Sequence, residues 1–273
     1  MLVVAAGNGR CTGSAYRGRV RLATFNVLHG RSLDDGAVDA DRFRAAVAAL
    51  DADVVGLQEV DLDQPRSGGL DLTALAAEAL GAADHRFAAA VVGTPGEAWR
   101  AAGDPPADGE PQYGVALVSR FPVRRWLIHR LPAAPTRAPV PVGGRVLLLP
   151  DEPRVLLAAV LDTPAGPMTA ATTHLSFVPG WNVRQLRRVV RAMGALPGPR
   201  VLLGDLNLPA RVARFVSGWR VAAQLPTYPS PVPRIQLDHV LVDQAFGGRL
   251  GPASTPRTGV SDHRPLVVDV ELC

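Results

Sequence analysis

Asn26 in "FNVLHG", Glu59 in "GLQEVD", His174 in "TTHLS", Asp205 and Asn207 in "LLGDLNL", Asp238 in "LDHVLV", and Asp262 with His263 in "SDHRPL" all stand at the ends of apolar runs. A single carboxylate in such a place is an ordinary surface acid. The recurrence of acids, amides and imidazoles at so many run ends points to shared chemistry. Carboxylates are hard oxygen donors suited to a divalent cation that keeps some of its waters. An amide holds an anionic oxygen without repelling it, and imidazole exchanges protons near neutral pH. Phosphate-ester hydrolysis needs these parts: charge neutralised on the phosphate oxygens, a water aligned for attack, and the departing oxygen stabilised.

Two of these clusters have a plainer reading beside the chemical one. Asp205 and Asn207 are two residues apart, so in extended backbone both side chains leave one face while Leu206 leaves the other. Gly-Asp and Asn are equally common in turns. Asp262 and His263 lie just before Pro265, which disfavours helix at Arg264 and holds the pair at a strand mouth or in a surface loop.

The elements that must position these residues follow from periodicity. Leu266, Val268, Val270 and Leu272 alternate with Val267, Asp269 and Glu271, the period of a half-buried terminal strand. Further strands are expected in "VRLATFNV", "DVVGLQEV", "RFAAAVV", "YGVALVS", "VLLAAVLD", "MTAATTHL", "RVLLGDLNL" and "LDHVLVD". Helices are expected at Asp41 to Leu50, at Leu72 to Leu80 closed by Gly81, and at Asn182 to Met193 with Val183, Leu186, Val190 and Met193 on one stripe. Many strands and few helices predict an α/β protein of two packed sheets flanked by helices. Gly93 to Gln112 and Pro132 to Pro153, rich in Pro and Gly, read as long loops that either rim a site or simply move.

With 273 residues and no repeat or linker, the chain reads as a flexible N-terminal leader at 1–19 followed by one domain at 20–273. The basic residues are all arginine, and the net charge of +4 permits an anionic partner without the dense basic tracts of an obligate nucleic-acid binder. Cys11 and Cys273 are the only cysteines, which argues against a disulfide framework and against a zinc cluster and fits a cytoplasmic location. The first apolar run is short for a signal peptide, and no stretch is long enough for a transmembrane helix.

The ordered segments "FNVLHG", "GLQEVD", "YGVALVSRFP", "TTHLS", "LLGDLNL", "LDHVLV" and "SDHRPL" resemble the endonuclease/exonuclease/phosphatase superfamily, which includes deoxyribonuclease I, over residues 20 to 272. The resemblance implies a four-layer α/β sandwich, two mixed sheets with helices outside. It implies Glu59 as principal ligand of Mg2+ or Mn2+, with Asn26 and Asp262 near the metal. It implies that His263, paired with Asp238, acts on the attacking water or the transition-state phosphate. Asp205 then positions or deprotonates water or assists the leaving group, and Asn207 and His174 hold phosphate oxygens. Which group is the base stays open. Several nucleases of the family carry an acid two residues after the first Asn, where this chain has Leu28, followed by His29 and Gly30. The departure leaves a second metal site unsupported there, and His29 is either a substitute phosphate contact or a turn residue.

Three substrate readings compete: a nuclease, a phosphatase or sphingomyelinase-like phospholipase, and a non-catalytic binding module of the same fold. A nuclease should carry basic and aromatic residues beside its site. Arg184, Arg187, Arg188 and Arg191 have helical spacing and follow Trp181, so they either track a nucleic-acid backbone or form a solvated helix face. The nuclease reading is the one carried forward. His85, His129 and His239 are expected to be structural or exposed.

Overall fold

The protein is described from a computed structural model, over residues 18–103, 106–142 and 145–272. In chain order the strands begin with β1 (Arg19–Asn26), β2 (Val54–Leu62), β3 (Asp84–Gly93), β4 (Trp99–Ala101), β5 (Gln112–Ser119), β6 (Val123–Leu131), β7 (Ala138–Val142) and β8 (Arg145–Leu149). They continue with β9 (Arg154–Thr163), β10 (Gly166–His174), β11 (Arg200–Asp205), β12 (Arg220–Val221), β13 (Asp238–Val242), β14 (Arg249–Ser254) and β15 (Leu266–Glu271). The helices are α1 (Ala40–Ala48), α2 (Leu72–Leu80), α3 (Trp181–Met193) and α4 (Ala210–Ser217).

One sheet has seven strands in the order β14-β15-β1-β2-β5-β3-β4 and the other six in the order β12-β13-β11-β10-β9-β6. Their facing sides bury a shared core that includes Leu22, Val115, Leu117, Leu157, Ala170, Leu203 and Val268. On the outer side of the seven-stranded sheet, Phe43 and Val47 of α1 and Leu72 and Ala76 of α2 pack on Phe25 and Leu57. On the outer side of the six-stranded sheet, Leu186, Val189 and Met193 of α3 and Ala213 of α4 pack on Leu156 and Leu202. The expected four-layer sandwich is the observed one.

Local chemistry sets the ends of these elements. Asp39 and Asp71 cap α1 and α2 by accepting from the backbone N–H of Arg42 and Ala74, at 2.7 and 2.9 Å. Gly81 closes α2 in the left-handed conformation, φ 61°. The two sheets approach closely at Gly56, where an added Cβ would lie 2.7 Å from Thr172 Oγ1 and 2.9 Å from Leu203 Cβ. Beside it Gln58 donates to Thr172 Oγ1 at 2.9 Å and to the Gly56 carbonyl at 3.0 Å, so a buried polar bridge spans the interface.

Several expectations change. Arg19, at the end of the expected leader, belongs to β1 and pairs with Glu271; the leader's residues up to Arg17, like both cysteines, lie outside the described residues. Gly93 to Gln112 contains β4, and Pro132 to Pro153 contains the two-stranded ribbon of β7 and β8. Helix α4 and strands β6, β12 and β14 carry no clean period in sequence; "VRRWLIHRL" in β6 mixes arginines with apolar residues because it is an edge. The buried stripe of α3 is Leu186, Val189 and Met193, with Val183 and Val190 at its margins.

Candidate active site

Strand register assembles the site. Parallel β10 and β11 set His174 opposite Asp205, and antiparallel β13 sets Asp238 opposite Asp205 on the other side. In the other sheet, β1 ends with Asn26 opposite Gln58 of β2. Strand β15 runs antiparallel to β1, so Asp262 and His263, just before it, arrive at the same end of the sandwich. Glu59 is brought in by a bulge: the β2–β5 register slips between Gln58 and Val60, and Glu59 takes φ 56°. A bulge re-aims one side chain without disturbing the strand on either side. Leu28, His29, Asn207 and Ser261 also have positive φ, so most such non-glycine residues among those described border this site.

The side chains form one network. Asn26 Nδ2 donates to Glu59 Oε1 at 2.9 Å and to Asp205 Oδ2 at 3.1 Å, while its Oδ1 accepts from Leu28 N at 3.1 Å. His263 Nδ1 donates to Asp238 Oδ2 at 2.8 Å, and its Nε2 lies 3.8 Å from Asp205 Oδ2. His174 Nε2 is 3.5 Å from the same Asp205 oxygen. The ligand atoms of Asp205, Asp238 and His263 lie within 4.8 Å of one another, a buried acid and histidine group whose spacing suits a metal only when the His263 ring is neutral. Asn207 reaches the site by a turn and not by strand alternation: its N–H donates to Asp205 Oδ1 at 3.0 Å and its φ is 48°. The turn reading describes its backbone, and its amide nevertheless lies 3.3 Å from His174 Nε2 while donating to the Leu175 carbonyl at 3.0 Å. Ser261, which the sequence did not single out, latches the β15 entry: its hydroxyl donates to the Asn26 carbonyl at 2.6 Å and accepts from His263 N at 3.0 Å.

Charge and burial divide the roles of these groups. Burial alone would lower the His263 pKa, but the charge and hydrogen bond of Asp238, then Asp205 and Asp262, raise it to about 10. His263 is therefore an imidazolium at neutral pH. Burial, the Arg154 charge and His263 hold His174 well below its ordinary value, so that ring is neutral. Arg154 Nη1 lies 3.4 Å from His174 Nδ1 and Asn207 Nδ2 lies 3.3 Å from its Nε2, so a donor faces each ring nitrogen, with Asp205 Oδ2 3.5 Å from Nε2. Burial and the Asp238 charge raise Asp205 to about 7 against the opposing pull of His263 and Asn26. Burial also raises Glu59, and the Asp262 charge adds to it. Oxygen donors of this kind, carrying buried negative charge, fit a hard divalent cation.

A model of the Endonuclease/Exonuclease/phosphatase family matches residues 23–263. The chain belongs to this family. Comparison with curated proteins gives no match. Among solved structures, an endonuclease/exonuclease/phosphatase from Beutenbergia cavernae is 24% identical, with 93% of this chain and 72% of that one covered and a TM-score of 0.67. A mannosyl-6-phosphatase from Bacteroides thetaiotaomicron is 18% identical, covering 92% and 99%, at 0.59. A sphingomyelinase C from Streptomyces griseocarneus is 17% identical, covering 94% and 100%, at 0.56. At these identities the likeness is one of fold.

Around the central network, this family member carries groups that sequence reading did not find. Arg154, 5% exposed, approaches Asp151 and Glu152 at 3.8 and 3.7 Å as well as His174. Tyr228 packs its ring 4.8 Å from that of His263. Arg66 forms a two-pronged pair with buried Asp61 and lies 5.4 Å over the Tyr113 ring. Only the position of Arg154 directly after "DEP", at the start of a strand, could have hinted at any of these. Burial, then Arg66, lowers His29 to about 4; it sits in the 3-10 turn Leu28–Gly30 as a neutral, half-buried ring on this flank. Of the helical arginines, Arg184 is exposed and lies over Trp181 at 5.4 Å, while on the buried side of the same turn Asn182 donates to the Asn207 carbonyl. Arg187 is exposed, and Arg188 and Arg191 line a separate groove against β6. His239 is buried and bonded to the Leu208 carbonyl, His85 is exposed, and His129 is half-buried on β6. No helix among the described residues is long and apolar enough to cross a membrane.

Proposed function

We propose that this protein is a metal-dependent hydrolase of phosphate esters, cleaving a phosphodiester in nucleic acid by attack of water. The observation that carries this reading is one cluster: Asn26 ties Glu59 to Asp205, and His263, held as a cation by Asp238, faces the same Asp205 oxygen. Glu59 is the principal ligand of Mg2+ or Mn2+, with Asn26 and Asp262 beside it. When bound, the ion neutralises phosphate charge as a Lewis acid. His263 donates from Nε2 to the charge that develops in the transition state, while Asp238 fixes its ring and its protonation. Asp205, poised near pH 7, takes a proton from the attacking water or stabilises the departing oxygen. The neutral His174 ring and the Asn207 amide serve the non-bridging oxygens.

The nucleic-acid part rests on Arg184 over Trp181 and on Phe177, 36% exposed, a cation and two rings on the segment that follows His174 in the chain. A small or lipid phosphate is the second reading. It is favoured by the placement of Arg188 and Arg191 in a groove against β6 that holds none of the catalytic residues, and by neighbours named as a mannosyl-6-phosphatase and a sphingomyelinase C. The deciding experiment is a turnover panel of duplex and single-stranded DNA, RNA, sphingomyelin, sugar phosphates and a generic phosphodiester, with Mg2+, with Mn2+ and with chelator. Metal-dependent turnover of an oligonucleotide supports the first reading. Turnover confined to a small or lipid ester moves the substrate to the second, and ligand binding with no turnover anywhere would identify a binding module.

A further inference from the structure

Strand β6 is the last strand of its sheet; it pairs with β9 and has no strand on its other side among the described residues. A groove lies along each face of this open edge. Arg125, Leu127 and His129 point toward α3, where Arg188 and Arg191 form the opposite rim of a groove of about 490 Å3 floored by Leu127, Ala192 and Leu196. Ile128, 42% exposed, points to the other face, into a groove of about 250 Å3 shared with Phe87, Ala88 and Val92 of β3. Arg125, Arg188 and Arg191 are exposed, and none of their guanidinium groups has a hydrogen bond or an ion pair among the described residues. One face of the edge is thus basic over an apolar floor, and the other is mainly apolar, with Arg130 at its side bonded to the Ala89 carbonyl.

We propose that the open edge of β6 receives an extended acidic segment of a partner protein as an added strand, with carboxylates seated on Arg125, Arg188 and Arg191 and alternate apolar side chains packed on Ile128 and Phe87. An edge strand offers a row of backbone donors and acceptors to a second chain, and alternation of side chains across the strand supplies specificity. Guanidinium groups bind carboxylates in two-pronged pairs, which makes charge complementarity the reason for an acidic occupant. A nucleic-acid backbone would meet the arginines but would leave the strand edge and the Ile128 groove unused. The site is distinct from the catalytic cluster and independent of the substrate proposed above.

The test is fluorescence anisotropy with a labelled peptide of about ten residues, the length of a long strand, alternating Glu with Val. Comparators are the same peptide with a central Pro, the same composition with Glu and Val in blocks, and a single-stranded oligonucleotide. Saturable binding of the alternating peptide, weakened at least about tenfold by the Pro and by Arg125→Glu with Arg188→Glu, supports the proposal. So does slowed hydrogen exchange of Val123–Leu131 amides on binding. Arg191→Ala serves as a milder second variant, and circular dichroism checks that each variant is folded. Absence of peptide binding overturns the proposal. So does equal binding of the Pro and block peptides, or an arginine-dependent affinity shown by the oligonucleotide alone.

Discussion

Glu59 occupies the one place in β2 where the ladder with β5 slips, and that slip turns its carboxylate toward Asn26 and the other sheet. Its carboxylate is bonded to Asn26 and belongs to none of the hydrophobic clusters, so Glu59→Gln should leave the fold intact while weakening the metal. The concentration of Mg2+ for half-maximal activity is expected to rise by more than the roughly 10–100-fold that loss of a ligand's hydrogen-bond partner costs. Metal titration of activity together with a thermal melt checks this, and a lowered melting temperature with unchanged metal dependence would contradict it. Asp238 and His263 share one short bond, so they are expected to act as one unit. Asp238→Asn, His263→Ala and the double variant should each lose about 10²–10⁴-fold in kcat, with the double no worse than the poorer single. Losses that multiply in the double variant would show two independent groups.

At the scale of elements, the site depends on how closely β2 approaches β10 and β11. Gly56 permits that approach, and the atoms a Cβ would meet, Thr172 Cβ and Leu203 Cβ at 2.8 and 2.9 Å, are rooted on backbone and cannot swing away. Gly56→Ala should therefore cost about 1–3 kcal/mol, the usual penalty of overpacking a filled core. Because Gln58 bridges to Thr172 just before Glu59, the same change should also reduce kcat in the fraction that stays folded. Urea unfolding followed by assay of the folded protein measures both. A cost under about 0.5 kcal/mol, the scale of a neutral surface change, would mean that the sheets can part freely there.

For the whole molecule, the pairing of the first and last strands closes the seven-stranded sheet's centre and delivers His263 to Asn26. Asp269 of β15 reinforces that pairing across β1, bonded to Arg21 Nε at 2.9 Å and to Arg19. The Arg21 hydrogen bond leads in holding the Asp269 carboxyl below its ordinary value of 3.8, with burial opposing it and Arg19 assisting. A folded pKa below the unfolded one gives stability that is present in full above about pH 4 and is lost as pH falls through the folded value. Asp269→Asn should thus cost on the order of 1 kcal/mol at pH 7, given the partly exposed arginines. The difference should shrink toward zero below pH 3.8. Denaturant midpoints of both proteins across that range test the sign; a gap that widens in acid would contradict it.

The ordered run of "FNVLHG", "GLQEVD", "TTHLS", "LLGDLNL", "LDHVLV" and "SDHRPL" was enough to read the sandwich, because each motif lies in, at the end of, or just before a strand with a strong period, and it named the residues that the fold brings together. Periodicity reports burial along one element and is blind to what crosses between elements. The bulge that aims Glu59, the turn that carries Asn207 and the latch of Ser261 are backbone events with no compositional mark. Arg154 and Tyr228 likewise stand on other elements and reach His174 and His263 only through the fold. Tertiary structure alone also divided the arginines of α3, because side chains on one helix can face different neighbours: Arg184 lies over the Trp181 ring, and Arg188 and Arg191 face the open edge of β6.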